Sequence, residues 1–171
     1  NEAVSLATLY FNETEGFRNV SIYGFDIDTD TILVARQFVA DRPEKDLPIQ
    51  FFDGRNSSLY VDGKYTVIFA NSVLCDATSS PYNVATVEAH FPFKDFDATL
   101  SSLDAVLKEG GIFAMINPSY EFSESPVAEN YETIAQCVGN HVPTIDLHKH
   151  EFIMNDPKNP KDCVWRKMRR R

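Results

Sequence analysis

The chain has 171 residues and a formal net charge of -9, with 43% hydrophobic and 24% charged residues, the make-up of a soluble globular domain with room for a real core. No apolar run approaches the roughly 20 residues that a membrane-spanning helix needs. The acidic balance also disfavours broad binding to a phosphate backbone, which requires clustered Lys and Arg.

In chain order, "EAVSLATLYF" (2–11) is predicted as a helix, because Ala3, Leu6, Ala7 and Tyr10 share one face. "NVSIYGFD" (19–26) reads as a strand from its β-branched and aromatic residues. Asp28 or Thr29 can cap a helix over about residues 29–40, with Pro43 beyond its end. "LPIQFFDG" (47–54) is a short apolar run closed by a turn signal. "KYTVIFANSVL" (64–74) has the near-continuous apolar character of a strand buried on both faces. The Ser-, Pro- and Asn-rich residues 76–92 read as a loop.

"FKDFDATLSSLDAVLKEGG" (93–111) reads as an amphipathic helix with Phe93, Phe96, Leu100, Leu103 and Leu107 as its apolar stripe, stopped by Gly110 and Gly111. "IFAMINP" (112–118) is a further buried strand. "SPVAENYETIAQCVG" reads as a helix ending at Gly139. Two extended segments close the chain, 142–154 and 163–168, joined as a hairpin through "NDPKNPKD". The basic end "WRKMRRR" is the solvated end of the last strand, or else an arm for nucleic acid or an acidic membrane. This alternation predicts one domain over 1–171, of α/β class. Its sheet is expected to be doubly wound, mostly parallel and Rossmann-like, with helices on both faces and a C-terminal antiparallel hairpin.

In such sheets ligands sit at the carboxyl ends of the strands. The residues placed there are Asp26 and Ile27, Asp53 and Gly54, Asn71 and Ser72, and Asn117 with Pro118. A carboxylate at Asp26 can accept two hydrogen bonds from vicinal hydroxyls, and Ile27 can lie against a purine face. Asp53 can accept from an exocyclic amino group, with Gly54 allowing close backbone approach. Helix capping by Asp26 and Asp28, and a plain turn at Asp53-Gly54, account for each acid taken singly.

The ordered set resembles the class I S-adenosylmethionine-dependent methyltransferases over nearly the whole chain. "IYGFDID" is similar to their second strand with its ribose-binding acid, "IQFFDG" to the third, "YTVIFANSVLC" to the fourth. "LDAVLKEGGIFAMINPSYEF" is similar to the helix, Gly-Gly turn and fifth strand, and "HEFIMND…CVWRKM" to the closing antiparallel pair. The resemblance implies S-adenosylmethionine as cofactor. Asp26 would then bind the ribose hydroxyls, Ile27 the adenine face, Asp53 and Gly54 the adenine amino edge, and Asn71 and Ser72 the methionine part. It further implies that "NEAVSLATLYF" follows a first strand and glycine-rich loop, so that the chain is expected to be an N-terminally truncated piece lacking both.

Asn117, Tyr120 and Phe122 are candidates for an acceptor pocket, the other reading of "NPSY" being a strand-ending turn. No catalytic residue is assigned, since methyl transfer from a sulfonium can be driven by positioning. His148 and His150 alternate on a predicted strand, but no further ligands have a metal-binding spacing. Cys75, Cys137 and Cys163 form no CxxC pair and suggest neither a zinc site nor a disulfide framework, which fits a reducing cytoplasm. "NET" at Asn12 and "NSS" at Asn56 match the glycosylation acceptor pattern as short matches do by chance. The function expected is methyl transfer to a small-molecule acceptor, with nucleic acid and membrane not expected as partners. A nicotinamide-dependent oxidoreductase and a non-catalytic Rossmann-like interaction domain are the alternatives.

Overall fold

The computed structural model describes residues 21–26, 28–41, 49–54, 62–75, 83–137, 143–153, 158 and 160–169. The predicted helix over 2–11, Ile27, Asn12 and Asn56 lie outside them. Contacts divide the chain into two compact units, Asn1–Leu59 and Tyr60–Arg171. Among the described residues no helix is long and apolar enough to cross a membrane.

The first unit is a strand–helix–strand. β1 (Ile22–Asp26) pairs in parallel with β2 (Ile49–Asp53), in register from Ile22↔Ile49 to Asp26↔Asp53. Parallel partners need a crossover connection, and α1 (Thr29–Ala40) supplies it. Asp28 starts the helix by accepting from the Asp30 amide. Ile32 is its buried residue. Arg36 then ties helix to strand, its Nε and Nη2 donating to the Phe51 carbonyl at 3.1 and 2.7 Å.

The second unit holds β3 (Tyr65–Asn71), α2 (Val84–His90), α3 (Phe93–Val106), β4 (Leu107–Ile116), β5 (Tyr131–Cys137), β6 (Thr144–Asp146), β7 (Glu151–Ile153) and β8 (Lys161–Lys167). Four strands form one mixed sheet in the order β3-β4-β8-β5, and β6-β7 form a separate antiparallel pair. β3 runs parallel to β4, while β8 is antiparallel to both its neighbours. Ala70, Phe113, Met115 and Trp165 from the sheet share one core with Val87, Phe96, Leu100, Tyr120, Phe122 and Ile145. On β3 the alternate residues Val67 and Phe69 are 62% and 43% exposed.

These findings correct the expected fold class. Among the described residues the strands are distributed over three sheets, mixed in direction, with two parallel pairs, β1-β2 and β3-β4, rather than over one mostly parallel doubly wound sheet. Three local corrections accompany it. The expected helix over 125–139 is, as far as Cys137, a short 3-10 turn, Pro126–Asn130, followed by β5, because Tyr131, Thr133 and Ile134 favour extended backbone and the strand pairs with β8. The expected loop 76–92 contains α2, capped by the Asn83 side chain. The closing hairpin is not made by 142–154 with 163–168. β6 pairs with β7 across residues 147–150, and β8 instead enters the main sheet between β4 and β5.

The Gly-Gly turn is present, although α3 ends earlier than the glycines. Tyr65 pairs with Leu107 and Val67 with Ile112, so four residues of β4 bulge opposite one of β3. Gly110 has φ +76°, and a Cβ on Gly111 would lie 2.7 Å from the Lys108 carbonyl oxygen, which confines this bend to glycine. Beside it, Lys167 caps the end of α3. Its Nζ donates to the carbonyl oxygens of Asp104 and Leu107 and pairs with Asp104 Oδ1 at 3.0 Å. The Tyr131 hydroxyl donates to the same Asp104 carboxylate at 2.9 Å, and burial followed by the Asp104 charge raises its pKa above the ordinary phenol range.

Candidate functional site

Each parallel pair ends in polar residues. In the first unit, Asp26 and Asp53 are register partners at the carboxyl edge of β1 and β2. The Gly54 amide donates to the Asp26 carbonyl at 2.8 Å, which carries the parallel ladder one bond past Asp53. Asp26 Oδ1 accepts from the Asp28 amide at 2.9 Å. Asp28 itself is fully committed to the helix start. Its oxygens take the Asp30 amide and the Thr31 hydroxyl, both at 2.9 Å, and these bonds hold its pKa below the ordinary carboxylate value. The second Asp26 oxygen has no partner among the described residues, so the acid keeps an acceptor for a ligand hydroxyl.

In the second unit, Asn71, Ser72 and Asn117 meet at the carboxyl edge of β3 and β4. Ser72 Oγ donates to Asn71 Oδ1 at 3.2 Å and accepts from Asn117 Nδ2 at 3.1 Å. Ser72 and Asn117 both have left-handed backbones, with φ 51° and 54°. Such conformations cost non-glycine residues of order 1–3 kcal/mol and gather at ligand clamps and active sites. The Ser72 amide donates to the Ile116 carbonyl and the Ser119 amide to the Leu74 carbonyl, both at 2.9 Å, so the two turns hold each other.

Tyr120 and Phe122 have other surroundings. Tyr120 is fully buried, its hydroxyl donating to the Phe91 carbonyl at 2.8 Å and its ring against Phe93 and Phe96. Phe122 is 4% exposed and lies with its centroid 4.3 Å from that of Trp165. It also borders a shallow cleft with Asn117, Pro118, Glu121, Thr144, Lys161 and Cys163. That cleft, about 30 Å³ in volume, has room for a water or two rather than a nucleoside.

No pattern along the chain announces the polar group in this cleft. Glu121 Oε1 accepts from the Thr144 hydroxyl at 2.6 Å and from Lys161 Nζ, and Lys161 also donates to Thr144 at 3.2 Å. These residues are 17 to 40 positions apart; the bridge between Tyr120 and Ile145 sets Thr144 beside Glu121, and β8 brings Lys161 to both. Cys137 and Cys163 are also joined, by a disulfide between β5 and β8, which corrects the expectation that the cysteines form none. The His148–His150 segment is a turn rather than a strand. His148 and Lys149 donate their amides to Asp146 Oδ1, and His150 Nδ1 is 3.4 Å from Glu88. Among the described residues no group of three or more His, Cys, Asp and Glu could hold a metal ion. No protein-family model and no curated protein matches the chain.

Proposed function

We propose that this chain belongs to an S-adenosylmethionine-dependent methyltransferase acting on a small-molecule acceptor. The observation that carries the reading is the pairing of Asp26 with Asp53 at the carboxyl edge of parallel strands joined by α1. A nucleoside presents a ribose diol and an exocyclic amine, which suit two neighbouring carboxylates. Asp26, with one oxygen uncommitted among the described residues, is the acceptor for the diol. Asp53 and Gly54 take the adenine edge. The sulfonium supplies an electrophilic methyl group, and the residues named here bind and orient.

The test is calorimetric titration with S-adenosylhomocysteine, on this chain and on one extended upstream through the glycine-rich loop that the resemblance implies. Binding that Asp26→Ala weakens at least about tenfold, or roughly 1.4 kcal/mol, supports the reading. A folded extended protein that binds neither S-adenosylhomocysteine nor a nicotinamide dinucleotide overturns it and leaves an interaction domain.

A further inference from the structure

We propose that the Cys137–Cys163 disulfide is a redox latch on β5, opened by an external thiol, whose release loosens one end of the sheet and the adjoining cleft while the core stays folded. The inference rests on the sheet alone and not on the methyltransferase reading.

β5 is an edge strand with β8 as its one partner in the sheet. Its middle residues, 132–136, are exposed. The ladder that holds it is irregular, with register shifts between Thr133 and Ala135 and again between Ala135 and Gln136. The first half of the strand is anchored by Tyr131, which packs against the core and bonds Asp104. The second half has no such anchor. It is held by exposed bonds from Thr133 and Gln136 to Asp162, at 2.9 and 2.8 Å, and by the disulfide at the last residue, Cys137. An edge segment with few buried contacts is where local opening is cheapest. A covalent bond there decides between closed and open.

Access is asymmetric in a way that suits exchange. Cys137 is partly exposed, whereas Cys163 is 4% exposed. A thiolate from solvent therefore attacks the Cys137 sulfur. The S–S bond breaks, and the Cys163 sulfur leaves with the electron pair and takes a proton. A second external thiolate then attacks the external sulfur of the mixed disulfide, releasing Cys137 as a thiolate that takes a proton. The protein gains two electrons and two protons, and the external thiols become one disulfide.

The consequence reaches the cleft because Cys163 lines it, two residues after Lys161. Asp162, between them, loses its two β5 partners when the strand end departs. The Lys161–Glu121–Thr144 group then rests on the start of β8, which loses its β5 partners there and is joined to β4 only from Val164 onward. The core face of the sheet, built on Phe113, Met115 and Trp165, does not depend on the bond.

The experiment is hydrogen exchange followed by mass spectrometry on the oxidised chain, the chain reduced with a phosphine, and Cys137→Ser. Alkylation before reduction first counts the thiols. The expected result is one labelled cysteine when oxidised. Amides of 133–137 should exchange at least about tenfold faster after reduction and in Cys137→Ser, with 112–116 unchanged, as for a local opening. Reoxidation should restore the slow exchange. Three labelled thiols in the unreduced protein, unchanged exchange in β5, or equal acceleration in β4 would each overturn the latch, the last by making the bond a staple of the whole unit.

Discussion

The Lys167–Asp104 pair offers the sharpest energetic test of this architecture. Its side chains are 10% and 14% exposed, so water can replace little of what either loses. Lys167→Met keeps the apolar stem and removes the ammonium. The Asp104 carboxylate then retains the Tyr131 hydroxyl, and the Asp104 and Leu107 carbonyls lose their Lys167 donor. Breaking a buried ion pair by removing one partner costs about 3–5 kcal/mol. A single domain has about 5–15 kcal/mol in all. With a urea slope of about 1–3 kcal/mol/M, a loss of about 3 kcal/mol lowers the unfolding midpoint by on the order of 1–3 M. Urea unfolding followed by circular dichroism reads this directly. Adding Asp104→Asn removes the orphaned charge, so the double variant should be more stable than Lys167→Met alone. A loss below about 1 kcal/mol, the range of exposed pairs, would refute the reasoning, as would a double variant weaker than the single one.

Tyr120 gives a pH signature. Burial first, then the charges of Glu88 and Asp95, pushes its hydroxyl from the ordinary 10.0 up to about 12. A folded pKa above the unfolded one means that its contribution is complete below pH 10 and fades as pH rises to 12. Tyr120→Phe should flatten that part of a stability–pH profile and, by losing the bond to the Phe91 carbonyl, cost about 1 kcal/mol at neutral pH; unaltered alkaline behaviour would contradict the burial account. At Ser72 the left-handed backbone separates two small replacements that both lose the hydroxyl. Ser72→Gly relieves the strain and Ser72→Ala keeps it, so the Gly variant should be the more stable of the two by about 0.5–1 kcal/mol; thermal melts of both variants decide.

The parts of this fold that could be read from the chain are those whose cause is local. β1, α1 and β2 follow from an apolar run, a capping Asp28 and a second apolar run, and they put Asp26 and Asp53 at matching strand ends. β3 and β4 are likewise visible as apolar runs, although burial of β3 on both faces is not borne out, since Val67 and Phe69 are exposed. The errors fall where pairing over long range decides. Residues 131–137 carry a helix-like spacing, but β8 offers them a ladder, and its residues come some thirty positions later, from Tyr131↔Lys167 to Cys137↔Lys161. α2 was hidden because "VATVEAH" is short and rich in β-branched residues, so its helix rests on the Asn83 cap and on burying Val87. The cysteines show no pair by spacing, since a disulfide across two strands follows topology and not separation in sequence. The left-handed turn at Ser72 leaves no mark in the sequence, because no glycine announces it, whereas Asn117 stands in the Asn-Pro turn signal after its strand.

The place of β8 has a consequence for how the second unit is made. Of the four strands in the main sheet it comes last in the chain, yet it lies inside the sheet, between β4 and β5. A chain emerging from the ribosome delivers β3, β4 and β5 before the strand that separates the last two. β4 and β5 must therefore wait about 10 Å apart, two strand spacings, or pair wrongly with each other and be prised open. Until residues 161–167 arrive, β4 presents one bare edge and Phe113 and Met115 lack Trp165 beside them. Assembly of this unit is accordingly a late event, dominated by distant contacts and slow for that reason. A holding chaperone would find its target in the interval before β8 slots into place.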